Sequence, residues 1–225
     1  MLALYTTHVI GDIITVQVGD RVIYREDGFS PATSFESYFI GWSLDSEYRT
    51  LLSYGIPVLG PSMTVVSAAI QMDLTGLIPG YSSADTDETL TLFDYTDAGG
   101  GIDAYTDLGQ GLAYGTGTFS SNSVGTIVSI PLNNDALSII NQNIALGGGF
   151  RVGATLTTLS RPLGSDEILR GPPDPRSLFG TALVLEIVPE PHTAILIAMG
   201  LITVALGASR RASRASRERP GSALE

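Results

Sequence analysis

Residues 50–74 read TLLSYGIPVLGPSMTVVSAAIQMDL. Two apolar, β-rich runs, Thr50 to Ile56 and Met63 to Leu74, flank a Gly60-Pro61 break. Runs of this kind bounded by turn chemistry read as strands, and this pair sets the fold class. The pattern continues in both directions. Upstream lie Ile13 to Val18 and Ser37 to Trp42; downstream lie Thr89 to Tyr95, Thr126 to Leu132, Phe150 to Leu159 and Ser177 to Val188. Turn signals separate them: Gly19-Asp20, Asp27-Gly28, Pro79-Gly80, Gly99-Gly100-Gly101, Gly147-Gly148-Gly149 and Gly171-Pro172-Pro173. About eight strands with no long amphipathic period between them predict an all-β body, a jelly roll or β-sandwich rather than an α/β fold. One short helix is expected. Asn133-Asn134-Asp135 offers an N-cap, Ala136 to Asn143 follows with Leu137, Ile140 and Ile144 on one side, and Gly147 stops it. Gly99 to Gly117, rich in Gly, Asp and Tyr, is expected to form a long loop or a poorly paired edge. No repeat of fixed period is evident.

The chain has 225 residues, enough for one β domain with appendages and for a sizeable core. It has no Cys, which excludes a disulfide scaffold, a Cys-ligated metal and a thiol nucleophile. The two histidines, His8 and His192, exclude a multi-His metal site. A pI near 4.5 argues against nucleic acid as a partner, because phosphate neutralisation needs clustered cations. All 12 basic residues are Arg. They are unevenly spread. Residues 1–188 hold seven Arg against 20 acids, a formal −13, whereas residues 189–225 hold five Arg against three Glu, a formal +2. An acidic body on a basic tail suggests that the two parts sit in different places.

The tail carries the sharpest signal. Pro189-Glu190-Pro191-His192 precedes TAILIAMGLITVALGAS, residues 193–209, and Arg210-Arg211 closes it. The middle segment is 17 residues long without a charge. As a helix it spans about 25 Å, close to the lower limit for a bilayer. A buried core helix is the competing reading. Against it stand apolarity on all sides, an abrupt Arg cluster of the kind the positive-inside effect keeps cytoplasmic, and two prolines that detach the segment from what precedes it. The expected organisation is an extracytoplasmic β domain over 1–188, a sorting segment over 189–211 with a transmembrane helix at 193–209, and a basic cytoplasmic tail over 212–225.

Pro-Glu-Pro, an apolar span and an Arg pair, in that order near the C-terminus, resemble the PEP-CTERM sorting signal of Gram-negative bacteria. The resemblance implies recognition of Pro189, Glu190 and Pro191 by an exosortase, a membrane cysteine protease and transpeptidase. It assigns Arg210 and Arg211 the role of membrane stop and orientation. It further implies transient anchoring during export, then residence in the outer envelope or extracellular matrix, often beside exopolysaccharide. The 14 residues after Arg211 are more than such signals usually carry. A plain linker between domain and anchor is the competing reading of the prolines. The body is also similar, over residues 37–188, to jelly-roll modules of secreted bacterial proteins related to carbohydrate-binding domains. The residues behind that likeness are Tyr48 to Tyr54, Val65 to Met72, Ile130-Pro131-Leu132-Asn133, Ala136-Leu137, Ile140 and Gly148-Gly149-Phe150. This likeness speaks to fold and not to activity.

Export requires a signal, and residues 1–15 have no basic n-region, with Asp12 interrupting the apolar stretch. Three readings follow: a start upstream of Met1, which is the expectation, export by another route, or a tail that is not a sorting signal.

Chemistry-bearing residues are sparse. Asp85, Asp87, Glu88, Asp94, Asp97, Asp103 and Asp107 crowd a Gly-rich stretch. Hard oxygen donors on a loop suit calcium, with Asp85, Asp87, Asp94 and Asp97 as the candidate ligands, but the spacing is not that of an EF-hand and solvated turn acids are the favoured reading. No other cofactor is expected. Trp42 and Tyr38, with Tyr48 and Tyr54, are candidates for a sugar-stacking platform, against the plainer reading of cross-strand packing. No G-x-S-x-G elbow and no P-loop occur, so no catalytic residue is assigned. The expected function is non-catalytic, structural or adhesive. A carbohydrate-binding module for exopolysaccharide is the alternative, and a glycan-processing enzyme the third reading.

Overall fold

The computed structural model describes residues 11–30, 38–60, 62–75, 80–96, 99–161, 165–171 and 180–190. The chain divides into two compact units, Met1–Pro61 with Val65–Val188, and Ser62–Thr64 with Pro189–Glu225. In the second unit the Glu190 amide donates to the Ser62 carbonyl at 2.7 Å.

The described residues are mostly β, in a sandwich-like all-β arrangement. The strands are β1 (Asp12–Arg25), β2 (Phe39–Ser43), β3 (Ser46–Gly55), β4 (Met63–Asp73), β5 (Tyr81–Ser82), β6 (Asp87–Asp94), β7 (Ala113–Ser120), β8 (Ile127–Pro131), β9 (Gly149–Leu156), β10 (Glu167–Arg170) and β11 (Thr181–Pro189). Two α-helices interrupt them, α1 (Gly101–Asp107) and α2 (Asn134–Leu146). One set of strands runs β1–β11–β4–β8. The other centres on β3, with β1 on one side and, along its length, β2 against residues 46–48 and β9 against residues 50–55. From β2 the sheet continues through β10 to β5, and from β9 through β6 to β7.

β1 belongs to both sets. Residues 12–17 pair with β11 and residues 18–25 with β3. The register shifts between Val18 and Asp20, so Gly19 is the extra residue of a bulge. The expected turn at Gly19-Asp20 is therefore a bend within one strand. Glycine and aspartate carry the same local signal in both settings; the long-range pairing with β3 decides between them.

Period-2 burial builds the core. β4 buries Ala68, Ile70 and Met72 while Gln71 and Asp73 lie between surface and interior. β11 buries Leu183, Leu185 and Ile187 and leaves Glu186 exposed. Each such buried aliphatic contributes about 1.5–3 kcal/mol relative to exposure. The expected helix is α2. The Asn133 side-chain oxygen accepts the Ala136 amide at 3.1 Å, Gly147 terminates the helix at φ 70°, and Ala136, Ile140 and Ile144 are its buried residues.

Gly99–Gly117, expected as a long loop or a poorly paired edge, is α1 followed by the first residues of β7, which among the described strands pairs with β6 alone. The glycines of β7 are there for close approach. A Cβ on Gly115 would lie 2.5 Å from the Pro131 carbonyl oxygen, and one on Gly117 would lie 2.8 Å from Ile130 Cγ1. Among the described residues no helix is long and apolar enough to cross a membrane; residues 193–209 lie outside them.

Candidate functional site

The register of β2, β3, β5 and β10 brings chemistry together that is scattered in sequence. Glu167 pairs with Trp42, and Trp42 pairs with Glu47, so one row across three strands presents carboxylate, indole and carboxylate on one face. Leu169, two residues beyond Glu167, pairs with Tyr81, which places Tyr81 on the same face and diagonal to Glu167.

Glu167 and Glu88 are both fully buried, a rare state for a carboxylate. Two adjacent residues after β9 hold Glu167. The Ser160 and Arg161 amides donate to its Oε2 at 2.8 and 2.9 Å, and the Ser160 hydroxyl donates to Oε1. Arg161 adopts φ 54°, a left-handed conformation uncommon outside glycine, and the bond from its amide to Glu167 is one of the contacts that offset the strain. Glu88, near the start of β6, accepts the Ser83 hydroxyl on Oε1 at 2.7 Å and the Thr158 hydroxyl on Oε2 at 2.5 Å. Thr158 Oγ1 in turn accepts the Thr89 amide at 2.8 Å, locking the rotamer. Exposed Asp85 completes a triad: one carboxylate oxygen from each of Asp85, Glu88 and Glu167 lies within 4.8 Å of the others. Asp85 is placed there by its own amide, which donates to Ser83 Oγ at 2.9 Å. For two ionised carboxylates at 4.8 Å the repulsion is about 3 kcal/mol at an effective dielectric of about 20. Among the described residues every hydrogen bond to Glu88 or Glu167 comes from a hydroxyl or an amide, none from a cationic side chain.

Tyr81 borders this triad. It is 6% exposed and its hydroxyl has no hydrogen-bond partner. The hydroxyl lies near Ser83 without reaching bonding geometry, and burial, with Glu88, Asp87 and Asp85 nearby, pushes the phenol up, so it stays neutral.

On the far side of Trp42, buried Glu47 accepts Arg49 Nε at 2.8 Å and pairs with Arg161. The Arg161 guanidinium stacks 5.4 Å over the Trp42 ring, and that of Arg49 stacks 4.1 Å over Tyr105 of α1.

The residues singled out in sequence fall as follows. Of the four calcium candidates, Asp85 joins the triad. Asp87 is exposed and outside it, Asp94 accepts the Leu112 amide at 2.6 Å, and Asp97 lies outside the described residues. The four aromatics do not share a face. Tyr38 is fully buried with its hydroxyl donating to the Asp73 carbonyl at 2.9 Å, which makes it core and not a stacking surface. Tyr54 is 1% exposed, and Tyr48 packs edge-on against Phe39 at 4.9 Å. Trp42 is half-buried with Arg161 over its ring. Burial pushes the Tyr38 and Tyr54 phenols up. Pro189 ends β11 and Glu190 follows it; Pro191, Arg210 and Arg211 lie outside the described residues. Glu167 and Tyr81 escape a sequence reading. Each sits in or beside an ordinary short apolar stretch, and only the pairing of β10 with β2 and β5 gives them neighbours.

No protein-family model matches this chain, and no curated protein matches it significantly. The functional argument rests on its own residues.

Proposed function

We propose that this chain is an exported cell-envelope or extracellular-matrix protein, sorted and processed at a C-terminal PEP-CTERM signal and structural or adhesive in role. The observation that carries the reading is the order of three parts: Pro189-Glu190-Pro191, the uncharged 17-residue segment 193–209, and Arg210-Arg211. The physical logic is coherent. Two prolines keep the backbone extended, which suits a protease cleft. The apolar segment holds that substrate at the depth of a membrane enzyme, and the arginines orient it. The partner is an exosortase-type protease, and the sandwich-like body is proposed to be a jelly roll carried outside. In the native Gram-negative host, Glu190→Gln and Pro191→Ala should leave insertion intact and block processing, so that full-length protein accumulates in the membrane. Normal processing of both variants removes the proposal.

One observation favours a second reading, a carbohydrate-binding module for exopolysaccharide. A cleft of about 300 Å³ is lined by Thr15, Gln17, Gln71, Asp73, Ile127 and Ala182, a polar lining of hydroxyl, amide and carboxylate side chains suited to a polyhydroxylated ligand. Glycan-array binding lost in Gln17→Leu would support this reading; absence of binding to any glycan would end it. Trp42→Ala tests the stacking role in the same screen.

A further inference from the structure

The geometry points to a hard divalent cation site, of the calcium type, built by Asp85, Glu88 and Glu167 with the Tyr81 hydroxyl as a neutral fourth donor. The inference stands apart from the sorting signal and rests on the body alone. Two observations carry it independently. The first is the triad, with one oxygen of each carboxylate within 4.8 Å of the others and two of the three side chains fully buried. Ionised carboxylates gathered in this way repel one another and a cation between them removes that repulsion; among the described residues the hydrogen bonds they receive come from neutral groups. The second is the Tyr81 hydroxyl, on a residue only 6% exposed, unpartnered, with Ser83, Glu88, Asp87 and Asp85 in its surroundings and on the face that carries Glu167. A buried hydroxyl without a partner has lost its water and gained nothing; a cation, or a water bound to one, supplies what it lacks.

The donor set selects the ion class. Among the described residues the groups gathered here are all oxygen: three carboxylates, the phenol, and the hydroxyls of Ser83, Thr158 and Ser160. Hard cations prefer such a donor set, and the chain has no Cys to offer a soft one. Ligands from a turn, a strand start and a second strand start make an irregular shell. Calcium accepts such shells with six to eight oxygens, whereas magnesium demands a regular octahedron. The ion would tie the 83–86 turn and the start of β6 to the start of β10.

The test uses the detergent-solubilised full chain, stripped with EDTA and titrated with calcium chloride alone by calorimetry, with magnesium chloride in parallel. The expected result is saturable binding of one calcium per chain, weaker binding of magnesium, and a higher melting temperature in calcium. Glu167→Gln should abolish binding. Because that residue is buried, Asp85→Asn supplies the decisive variant: Asp85 is exposed and the change removes a repelling charge, so the melting temperature in EDTA should be no lower than that of wild type, while calcium affinity falls at least about tenfold. Tyr81→Phe should weaken binding by several-fold, and Asp94→Asn should not change it. No saturable heat up to about 10 mM calcium, well above the range of extracellular calcium modules, overturns the proposal. So does Asp85→Asn with wild-type affinity.

Discussion

Gly41→Ala tests the clamp that seats Glu167 beside Trp42. Gly41 is the central residue of β2, opposite Ile168 of β10 and Tyr48 of β3. Its φ is +119°, a region open to glycine and closed to residues with a Cβ. A Cβ there would lie 2.1 Å from the Glu167 carbonyl oxygen and 2.8 Å from Leu156 Cδ1. The first contact is with backbone and cannot be relieved by a rotamer change, so β10 must move away or Gly41 must change conformation. Backbone strain of this kind costs about 1–3 kcal/mol, and losing one or two ladder hydrogen bonds adds about 1–2 kcal/mol. The expected loss is about 2–5 kcal/mol, or roughly 4–20 °C in Tm at about 2–4 °C per kcal/mol for a chain of this size. Gly55→Ala is the matched control. It also lies at a strand position of the same sheet, but a Cβ there meets nothing within 4 Å. Its effect should stay within about 0.5 kcal/mol. The assay is thermal and urea unfolding of both variants followed by circular dichroism. Gly41→Ala melting within about 2 °C of wild type, or no lower than Gly55→Ala, would refute the claimed contact of β2 with β10.

Three further outcomes are expected. Asn133→Ala removes the cap of α2 and the 2.7 Å bond from its side chain to the Ala113 carbonyl, and should cost about 1–2 kcal/mol in urea unfolding. Val204→Arg puts a charge in the middle of segment 193–209 at about 2.5–3.5 kcal/mol on the insertion scale, so the membrane fraction of full-length protein should drop sharply; unchanged retention argues against a span. Asp27 is held down to about 2 by the Arg25 guanidinium and the Phe29 amide, so its surface contribution is present above the ordinary carboxylate value of 3.8 and is lost as pH falls toward 2. A carbon-detected NMR titration should show the low midpoint, and Arg25→Gln should move it up toward 3.8; a midpoint unmoved by that substitution contradicts the pairing.

The strands that alternate cleanly were legible because each needs no distant information. Met63 to Leu74 carries its own period, and Asn133 with Gly147 brackets α2 with two local caps. The elements that sequence misses are those whose stability is tertiary. β7 carries glycines because Ile130 and Pro131 press on it, and those glycines disguise the strand. β10 is four residues long and begins with a glutamate, so it lacks the length for a period. α1 follows two glycines, begins with a third and shows no side-chain cap. The site divides in the same way. Asp85 and Glu88 stand out within an acidic run, but nothing near Glu167 announces that β10 will deliver it to them. For Tyr38 the sequence leaves both a stacking and a packing role open, because alternation alone does not reveal that its side of the chain faces the core.

Mass spectrometry of the mature C-terminus from the native host reads the fate of the tail. The expected product is a polypeptide ending at or near Pro189-Glu190-Pro191, recovered from the outer envelope or the medium. Mature protein that still carries residues 193–211 and is found in the cytosol would contradict it.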